Sequence, residues 1–334
     1  MPTPGTSSPR RSRHTLTFLT SLAVPLWVLL SVTTGMAEPV FTFAELTDDD
    51  LEHIDLHDGR IDDWLQVLGE PSLLARDAYR LVAPVPIRDY DPSDFDFRIW
   101  LAWHDATNRI YVAMESVDDH YVNEYDHHGV WGLRSELSDW DSFVNVWVDG
   151  DRSGGAVVCA PALGVSDRQR LQQEVEAQQW YGALPETHDN GPHVDLGMGF
   201  GVTVDWAVRT PYSDGGGRSF GIDPVFAVLE FYVTAFDHLD IDSPEASRAT
   251  DLYPGRIVAF TIRVSDRDQD SARRGTYCDE TSWADERDLT TLPHAIMVAK
   301  TPSEGGLHRL SEAAWGTVKH TAPVDSAGAP GPGD

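Results

Sequence analysis

Alternating hydrophobic and polar positions run through most of the chain and predict β-strands. Hydrophobic residues occupy every second position of FRIWLAW (97–103), and RIYVAMES follows after the turn-like spacer HDATN, so the two segments predict a hairpin. The same period recurs in SFVNVWV, GFGVTVDWAV, VFAVLEFYVT, RIVAFTIRV and HAIMVAK, with Gly, Pro, Asp and Ser between them. We therefore expect an all-β protein, an antiparallel β-sandwich of the jelly-roll or immunoglobulin-like type.

One segment departs from this period and predicts a helix. Residues 167–180, DRQRLQQEVEAQQW, place Leu171, Val175 and Gln178 on one side of a helix. Because strand patterns flank it, we interpret the helix as part of an insert in the sandwich, covering about residues 155–224.

The first 37 residues have the pattern of an export signal. Arg10, Arg11 and Arg13 precede an uncharged stretch from Thr15 to Ala37, and Gly35-Met36-Ala37 offers small residues where a signal peptidase cleaves. The uncharged stretch is also long enough for an uncleaved anchor across a bilayer of about 30 Å. Either alternative places the body of the protein outside the cytoplasm, as a secreted, periplasmic or cell-surface protein, with membrane contact only if the signal is retained.

The charge balance excludes one class of partner. The chain of 334 residues carries 54 acidic and 25 basic residues, with a formal net charge of −29, and its two lysines are Lys300 and Lys319. Such a chain cannot neutralise a run of phosphates, so we expect no binding to nucleic acid. The Pro-, Ala- and Gly-rich tail, residues 319–334, is typical of disorder, which leaves residues 38–318 for the sandwich.

Two cysteines, Cys159 and Cys278, leave two alternatives open. In an oxidising compartment a single pair commonly forms a disulfide, and both residues could equally be buried free thiols. Their spacing excludes a CxxC redox or zinc motif.

Two acid-rich loops at strand ends are candidate calcium sites. VDGDRSGG carries Asp149, Asp151 and Ser153 at alternate positions, and SDRDQDS carries Asp266, Asp268 and Asp270 with the same spacing. Alternate oxygen ligands on a turn can converge on one hard cation. An acidic turn without a ligand is the alternative for each loop.

No catalytic motif is present in the sequence. It contains no GxSxG, HExxH, P-loop or strand-bound GxGxxG signature. His53 and His57 stand four residues apart, but in so acidic a segment they read as solvated surface. We therefore expect a protein that is not an enzyme, with a secreted hydrolase as a minor alternative.

The order of these segments resembles that of family 9 carbohydrate-binding modules and their β-sandwich superfamily. DGRIDDW resembles the opening motif of the family, with Trp64 as its core tryptophan. Five further segments follow in the family's order: the hairpin of residues 97–119, WDSFVNVWVDGD, VLEFYVTAF, GRIVAFTIRVSDRD and ETSWADERDLTTLPHAIMVAK. The resemblance covers residues 54 to 300, and its order and completeness carry more weight than any one piece.

The resemblance implies a jelly-roll-like sandwich that binds calcium structurally and holds a poly- or oligosaccharide between two tryptophans. Trp140 and Trp283 match those tryptophans, and Asn145 stands at a polar position usually occupied by Glu. Sugar faces stack on indole rings, and the hydroxyls need fixed hydrogen-bonding groups. By contrast, Trp147 lies inside an alternating strand and is expected in the core.

Two other functions remain open at this point. The sandwich could serve structure or cell-surface interaction without sugar binding. Relatives in the superfamily hold haem b for electron transfer, with Met114, Met198 or Met297 as available axial ligands here. No motif matches a haem site, so haem is the less favoured cofactor and calcium the more favoured one.

Overall fold

A computed structural model describes the protein at residues 41–77, 90–120, 143–153, 168, 172, 175, 178–183, 195–198, 204–221, 224–266, 279–282 and 294–300. The chain divides into residues 1–37 and residues 38–334. The first unit, which holds the predicted export signal, lies outside the described residues, as do Cys159, Cys278 and the tail.

Strands dominate the described residues, which confirms the all-β prediction. The first seven are β1 (Phe41–Glu45), β2 (Leu73–Leu74), β3 (Phe95–His104), β4 (Arg109–Asp118), β5 (Phe143–Asp149), β6 (Gln179–Ala183) and β7 (Asp195–Met198). The next seven are β8 (Ser213–Gly221), β9 (Val225–Val233), β10 (Phe236–His238), β11 (Arg248–Ala249), β12 (Ile257–Asp266), β13 (Asp279–Ser282) and β14 (His294–Val298). Two short helices, α1 (Asp48–Leu51) and α2 (Asp62–Val67), follow β1, and a 3₁₀ helix spans Pro244–Ala246.

One continuous sheet path connects most of these strands. Its order is β7-β6-β5-β12-β14-β1-β3-β4-β9-β8, with β13 beside β12 and β2 beside β3. The pairings are antiparallel except at β1, which is parallel to both β14 and β3. The predicted hairpin is confirmed as β3 and β4, joined at His104↔Arg109.

The main core lies between the two halves of this sheet. Alternate residues of β3, β4, β5, β9 and β12 point into it, among them Val146 of β5, Phe231 of β9 and Phe260 of β12. Strand β6 packs against β9, since a Cβ built on Gly182 would lie 3.3 Å from Leu229 Cδ2. The path therefore folds over itself, with a hydrophobic interior between its faces.

A second hydrophobic cluster covers the other face of β3, β4 and β9. Trp64 of α2 and Trp100 of β3 are fully buried in it, as the resemblance implies for Trp64. Both indoles make polar contacts: Trp64 Nε1 donates to Glu230 Oε1 at 2.7 Å, and Trp100 Nε1 donates to the Gly69 carbonyl at 2.9 Å. The α1–α2 segment thus forms a layer over this half of the sheet.

The predicted helix ends before its expected last residues. Arg168, Gln172 and Val175 are helical, and Val175 is buried as expected. Gln178 has a φ of 41°, and its side chain bonds the backbone of Phe236 in both directions. The chain then enters β6, where Trp180 pairs with Val146, so the helical assignment of residues 178–180 is wrong.

The strand predicted in GFGVTVDWAV is wrong for its described part. Residues 204–208 form a turn, closed by the Ala207 N–H donating to the Val204 carbonyl at 2.8 Å. Trp206 packs edge-on against Tyr212 and Phe236, with ring centroids 4.8 and 5.7 Å away. Packing of this aromatic group outweighs the period-2 pattern.

Candidate functional site

Three neighbouring strands present a polar and aromatic surface on the side away from the main core. Val144, Val146 and Val148 of β5 point into the core, so the alternate residues of β5 point the other way. We call this side of β5, β6 and β12 the outer face. It carries Asn145, Trp147, Gln179, Tyr181, Thr261 and Arg263.

Aromatic rings form one part of the outer face. Trp147 stands opposite Gln179 on one side and Thr261 on the other, and it is 1% exposed. The Arg263 guanidinium carbon lies 5.9 Å from the centroid of a Trp147 ring, within cation–π distance. The ring of Tyr181, in the next row of the sheet, is also buried.

Hydrogen-bonding groups form the other part, and two of them lack partners. Gln179 Nε2 donates to Asn145 Oδ1 at 3.0 Å. Asn145 Nδ2 and Thr261 Oγ1 are buried and have no hydrogen-bond partner among the described residues. An unpaired buried amide or hydroxyl costs about 1–3 kcal/mol, so a ligand that accepts from these groups would recover that cost.

Asn145, predicted from the sequence as a sugar-contacting residue, lies at the centre of this surface. Its backbone is flanked by Tyr181 on β6 and Arg263 on β12, and Arg263 stands opposite Ser282 on β13. Trp140 and Trp283 lie outside the described residues.

Those two tryptophans stand close in sequence to described strands near Asn145. Trp283 directly follows Ser282, the last residue of β13, and Trp140 precedes the start of β5 by three residues. Strands are spaced about 4.8 Å apart, which puts Ser282 about 10 Å from Asn145.

Sequence reasoning missed most of the outer face. Gln179 was expected in a helix, and Trp147 was expected in the core; it is buried, but on the side opposite the main core. The alternation of RIVAFTIRV contained a usable signal, since Thr261 and Arg263 are the polar positions of an otherwise apolar strand.

The first predicted calcium loop is described from Asp149 to Ser153. The Ser153 N–H donates to Asp151 Oδ1 at 2.9 Å and to Asp149 Oδ1 at 3.3 Å, so both carboxylates turn toward one backbone amide. Gly150 is packed so tightly that a Cβ there would lie 1.7 Å from Thr250 Oγ1. Asp149 is buried and Asp151 is exposed.

Arginines already offset part of the charge of this loop. Arg248 Nη2 lies 3.9 Å from Asp151 Oδ2, and Arg256 Nη2 donates to the Gly150 carbonyl at 2.8 Å. Burial by itself would raise the pKa of Asp151, but hydrogen bonds from Ser153, a hydrogen bond shared with Asp149 and the charge of Arg248 lower it on balance. The Asp151 carboxylate is therefore ionised at neutral pH and available to a cation.

The second predicted loop falls mostly outside the described residues. Asp266 ends β12, where its backbone pairs with Asp279, while Asp268 and Asp270 lie beyond the described part of the chain.

The remaining candidate residues are placed as follows. His53 and His57 are exposed, as expected for solvated surface. Met114 and Met297 are fully buried in the main core, and Met198 is the last residue of β7. In the described part of the chain no helix has the length and hydrophobicity to span a membrane.

Comparison with known proteins returns solved structures only. No family model matches the chain, and no curated protein sequence matches it. A family 9 carbohydrate-binding module from Caldicellulosiruptor kristjanssonii in complex with cellotriose is similar to this chain, with 12% sequence identity and a TM-score of 0.38. The match covers 80% of this chain and 98% of that one. Its complex with glucose matches with 12% identity and a TM-score of 0.39, covering 78% of this chain and 96% of that one. A protein from Bacteroides uniformis described as carbohydrate-binding is also similar, with 9% identity and a TM-score of 0.30, over 77% of this chain and 97% of that one. The likeness to family 9 modules expected from the motifs is thus found among solved structures, at identities too low to assign a role to any residue.

Proposed function

We propose that the protein binds a poly- or oligosaccharide at the outer face of β5, β6 and β12, without catalysing a reaction. The observation that carries the proposal is the unpaired Asn145 amide, which lies beside an unpaired Thr261 hydroxyl and the Trp147 ring. Sugars combine apolar faces that stack on aromatic rings with hydroxyls that accept hydrogen bonds. The surface offers both kinds of group.

Trp140 and Trp283 belong to this proposal as the stacking pair. The chain path supports their inclusion, since Trp283 is one residue from the row that contains Arg263 and Asn145. Because the Asn145 and Thr261 side chains are buried, binding must uncover them. We therefore expect slow association, below about 10⁵ M⁻¹s⁻¹.

The proposal is tested first with a glycan array and then by titration calorimetry with the sugar that binds best. Thr261→Val removes the unpaired hydroxyl with little change of shape, so the melting temperature should hold or rise while affinity falls about fivefold to tenfold. Asn145→Ala, Trp140→Ala and Trp283→Ala should each remove most of the affinity.

Thr234→Val is the matched control, since the Thr234 hydroxyl donates to the Tyr212 carbonyl at 2.9 Å and lies away from the outer face. It should lose stability and keep full affinity. Failure of every glycan to bind would contradict carbohydrate binding, and full affinity in both Thr261→Val and Asn145→Ala would contradict this location.

Two further features belong to the proposal. One is export, based on the arginines and the uncharged stretch of residues 1–37, which would place the sugar-binding face where extracellular polysaccharides are found. The other is a structural calcium ion on the Asp149–Ser153 loop, supported by the convergence of Asp149 and Asp151 on the Ser153 amide. Asp151→Asn should remove that ion.

A further inference from the structure

A buried carboxylate on β9 has a hydrogen-bond partner for only one of its two oxygens among the described residues. Glu230 is 0% exposed and lies on the face covered by the α1–α2 layer. Its Oε1 accepts from Trp64 Nε1 at 2.7 Å. Its Oε2 is buried and has no hydrogen-bond partner among the described residues. A carboxylate oxygen left in this state is costly, and buried charges in proteins are normally paired or bound to a metal.

Two more carboxylates meet Glu230 at this point. One oxygen from each of Asp58, Asp63 and Glu230 lies within 4.8 Å of the other two, and this is the one such group of three found in the described part of the chain. Asp63 is anchored at the start of α2, since it accepts from Trp64 N at 2.7 Å and from Asp55 N at 2.9 Å. Asp58 is the solvent-facing member.

Two basic side chains of the same loop contact other carboxylates. Arg60 pairs with Asp62 at 2.7 Å, and His57 Nε2 lies 3.4 Å from Asp214. Burial is the largest cause that raises the pKa of Glu230 to about 9, and repulsion from Asp63 and Asp58 adds to it, while the bond from Trp64 acts in the opposite direction. Burial also raises the pKa of Asp63.

We propose that Asp58, Asp63 and Glu230 bind a calcium ion that fastens the α1–α2 layer to β9. The ligands are all carboxylate oxygens, which suit calcium and magnesium rather than zinc. Magnesium gives up its water reluctantly, whereas an orphaned buried oxygen requires direct coordination, and this favours calcium. Solvent-facing Asp58 leaves room for water to complete the coordination. This ion is distinct from those expected on the Asp149 and Asp266 loops.

The test compares three variants of the full chain by equilibrium dialysis against calcium and by thermal melts. Glu230→Gln keeps an oxygen for Trp64 and replaces the orphaned oxygen by an uncharged amide. Asp58→Asn changes the solvent-facing ligand with little effect on packing. Asp62→Asn is the control, because Asp62 is exposed, paired with Arg60 and outside the group.

We expect Glu230→Gln and Asp58→Asn each to lose one equivalent of bound calcium, and Asp62→Asn to lose none. In EDTA, Glu230→Gln should melt at or above the temperature of the parent chain. With calcium at a hundred times its Kd, the parent chain should gain roughly 5 °C or more from this site, a gain absent in Glu230→Gln.

The proposal is overturned if Glu230→Gln binds as many calcium ions as the parent chain, or if calcium stabilises both equally. It is also overturned if magnesium at equal concentration gives the whole effect, or if the parent chain binds no metal at this group, which would leave a shared proton among the carboxyls. Loss of one calcium ion in Asp151→Asn would show only that the Asp149 loop binds calcium. The number of calcium ions bound by Glu230→Gln decides whether Glu230 binds one.

Discussion

Asp50 joins α1 to Lys300, which follows the last described strand by two residues. Its carboxylate accepts from Thr47 N at 2.8 Å and from the Lys300 ammonium at 2.5 Å, while the Thr47 hydroxyl accepts from Asp50 N at 3.2 Å. The capping box at α1 and an ion pair across 250 residues therefore use the same side chain. Burial by itself would raise the pKa of Asp50, but the bonds from Lys300 and Thr47 outweigh it and lower the pKa.

The Asp50→Asn variant should consequently show a pH-dependent loss of stability. A lowered folded pKa stabilises the protein above the unfolded pKa of about 3.9, and this contribution disappears as pH falls through the folded pKa. We expect the variant to lose about 1–2 kcal/mol at pH 7 and much less near pH 2. Urea unfolding at both pH values measures this. Asp49→Asn, at an exposed residue of the same turn, should show no comparable pH-dependent loss.

At the scale of elements, glycines at close contacts let the α1–α2 layer approach the sheet, and Gly59 is one of them. Gly59 has a φ of +64°, and a Cβ there would lie 2.6 Å from Arg218 Cβ on β8. The loop before α2 therefore needs glycine for two separate reasons, the left-handed backbone and the absence of a side chain.

Gly69, just after α2, has the left-handed backbone without the close contact, so comparing it with Gly59 separates the two effects. Its φ is +75°, but nothing lies within 4 Å of a built Cβ. Gly69→Ala should therefore cost about 1 kcal/mol from backbone strain alone. Gly59→Ala should cost about 2–4 kcal/mol because displacement of β8 is added. Denaturant unfolding in EDTA keeps metal effects out of the comparison. Equal costs for the two variants would show that the layer does not press on β8.

At the scale of the whole molecule, the excess of acid works against compactness. With 54 acidic and 25 basic residues, repulsion acts over the whole surface, and local arginine pairs such as Arg98–Glu115 offset only part of it. The strands that enclose the core come from distant parts of the sequence, so this repulsion opposes their assembly.

The melting temperature should therefore rise as sodium chloride increases from about 0.01 to 0.15 M, where the Debye length falls from about 30 to 8 Å, and then level off. The matched measurement is made near the sequence pI of about 4.6, where the net charge and hence the salt effect should vanish. A melting temperature unchanged by salt at pH 7 would show that surface repulsion does not limit stability.

The sequence by itself determined the strands whose alternation has one clear solution. β3, β4, β5, β9, β12 and β14 all fall where period 2 predicts them, because each buries one face and the hydrophobic side chains must follow the pleat. Trp64 was also identified in advance as a core residue through the resemblance of its motif, and it is fully buried. Local signals failed where two tendencies compete, as at Gln178, whose side chain ends the helix by bonding a backbone 58 residues away.

Only the tertiary structure decided which polar residues have unusual surroundings. Nothing in the sequence marks Glu230 as a fully buried acid, or brings it within reach of Asp58 and Asp63. Likewise, Thr261 and Gln179 became part of one surface with Asn145 only when β5 paired with both β6 and β12. Burial and the loss of hydrogen-bond partners depend on what a distant segment places over a side chain. The physical reason is that desolvation is a property of the folded neighbourhood, whereas alternation is a property of the chain.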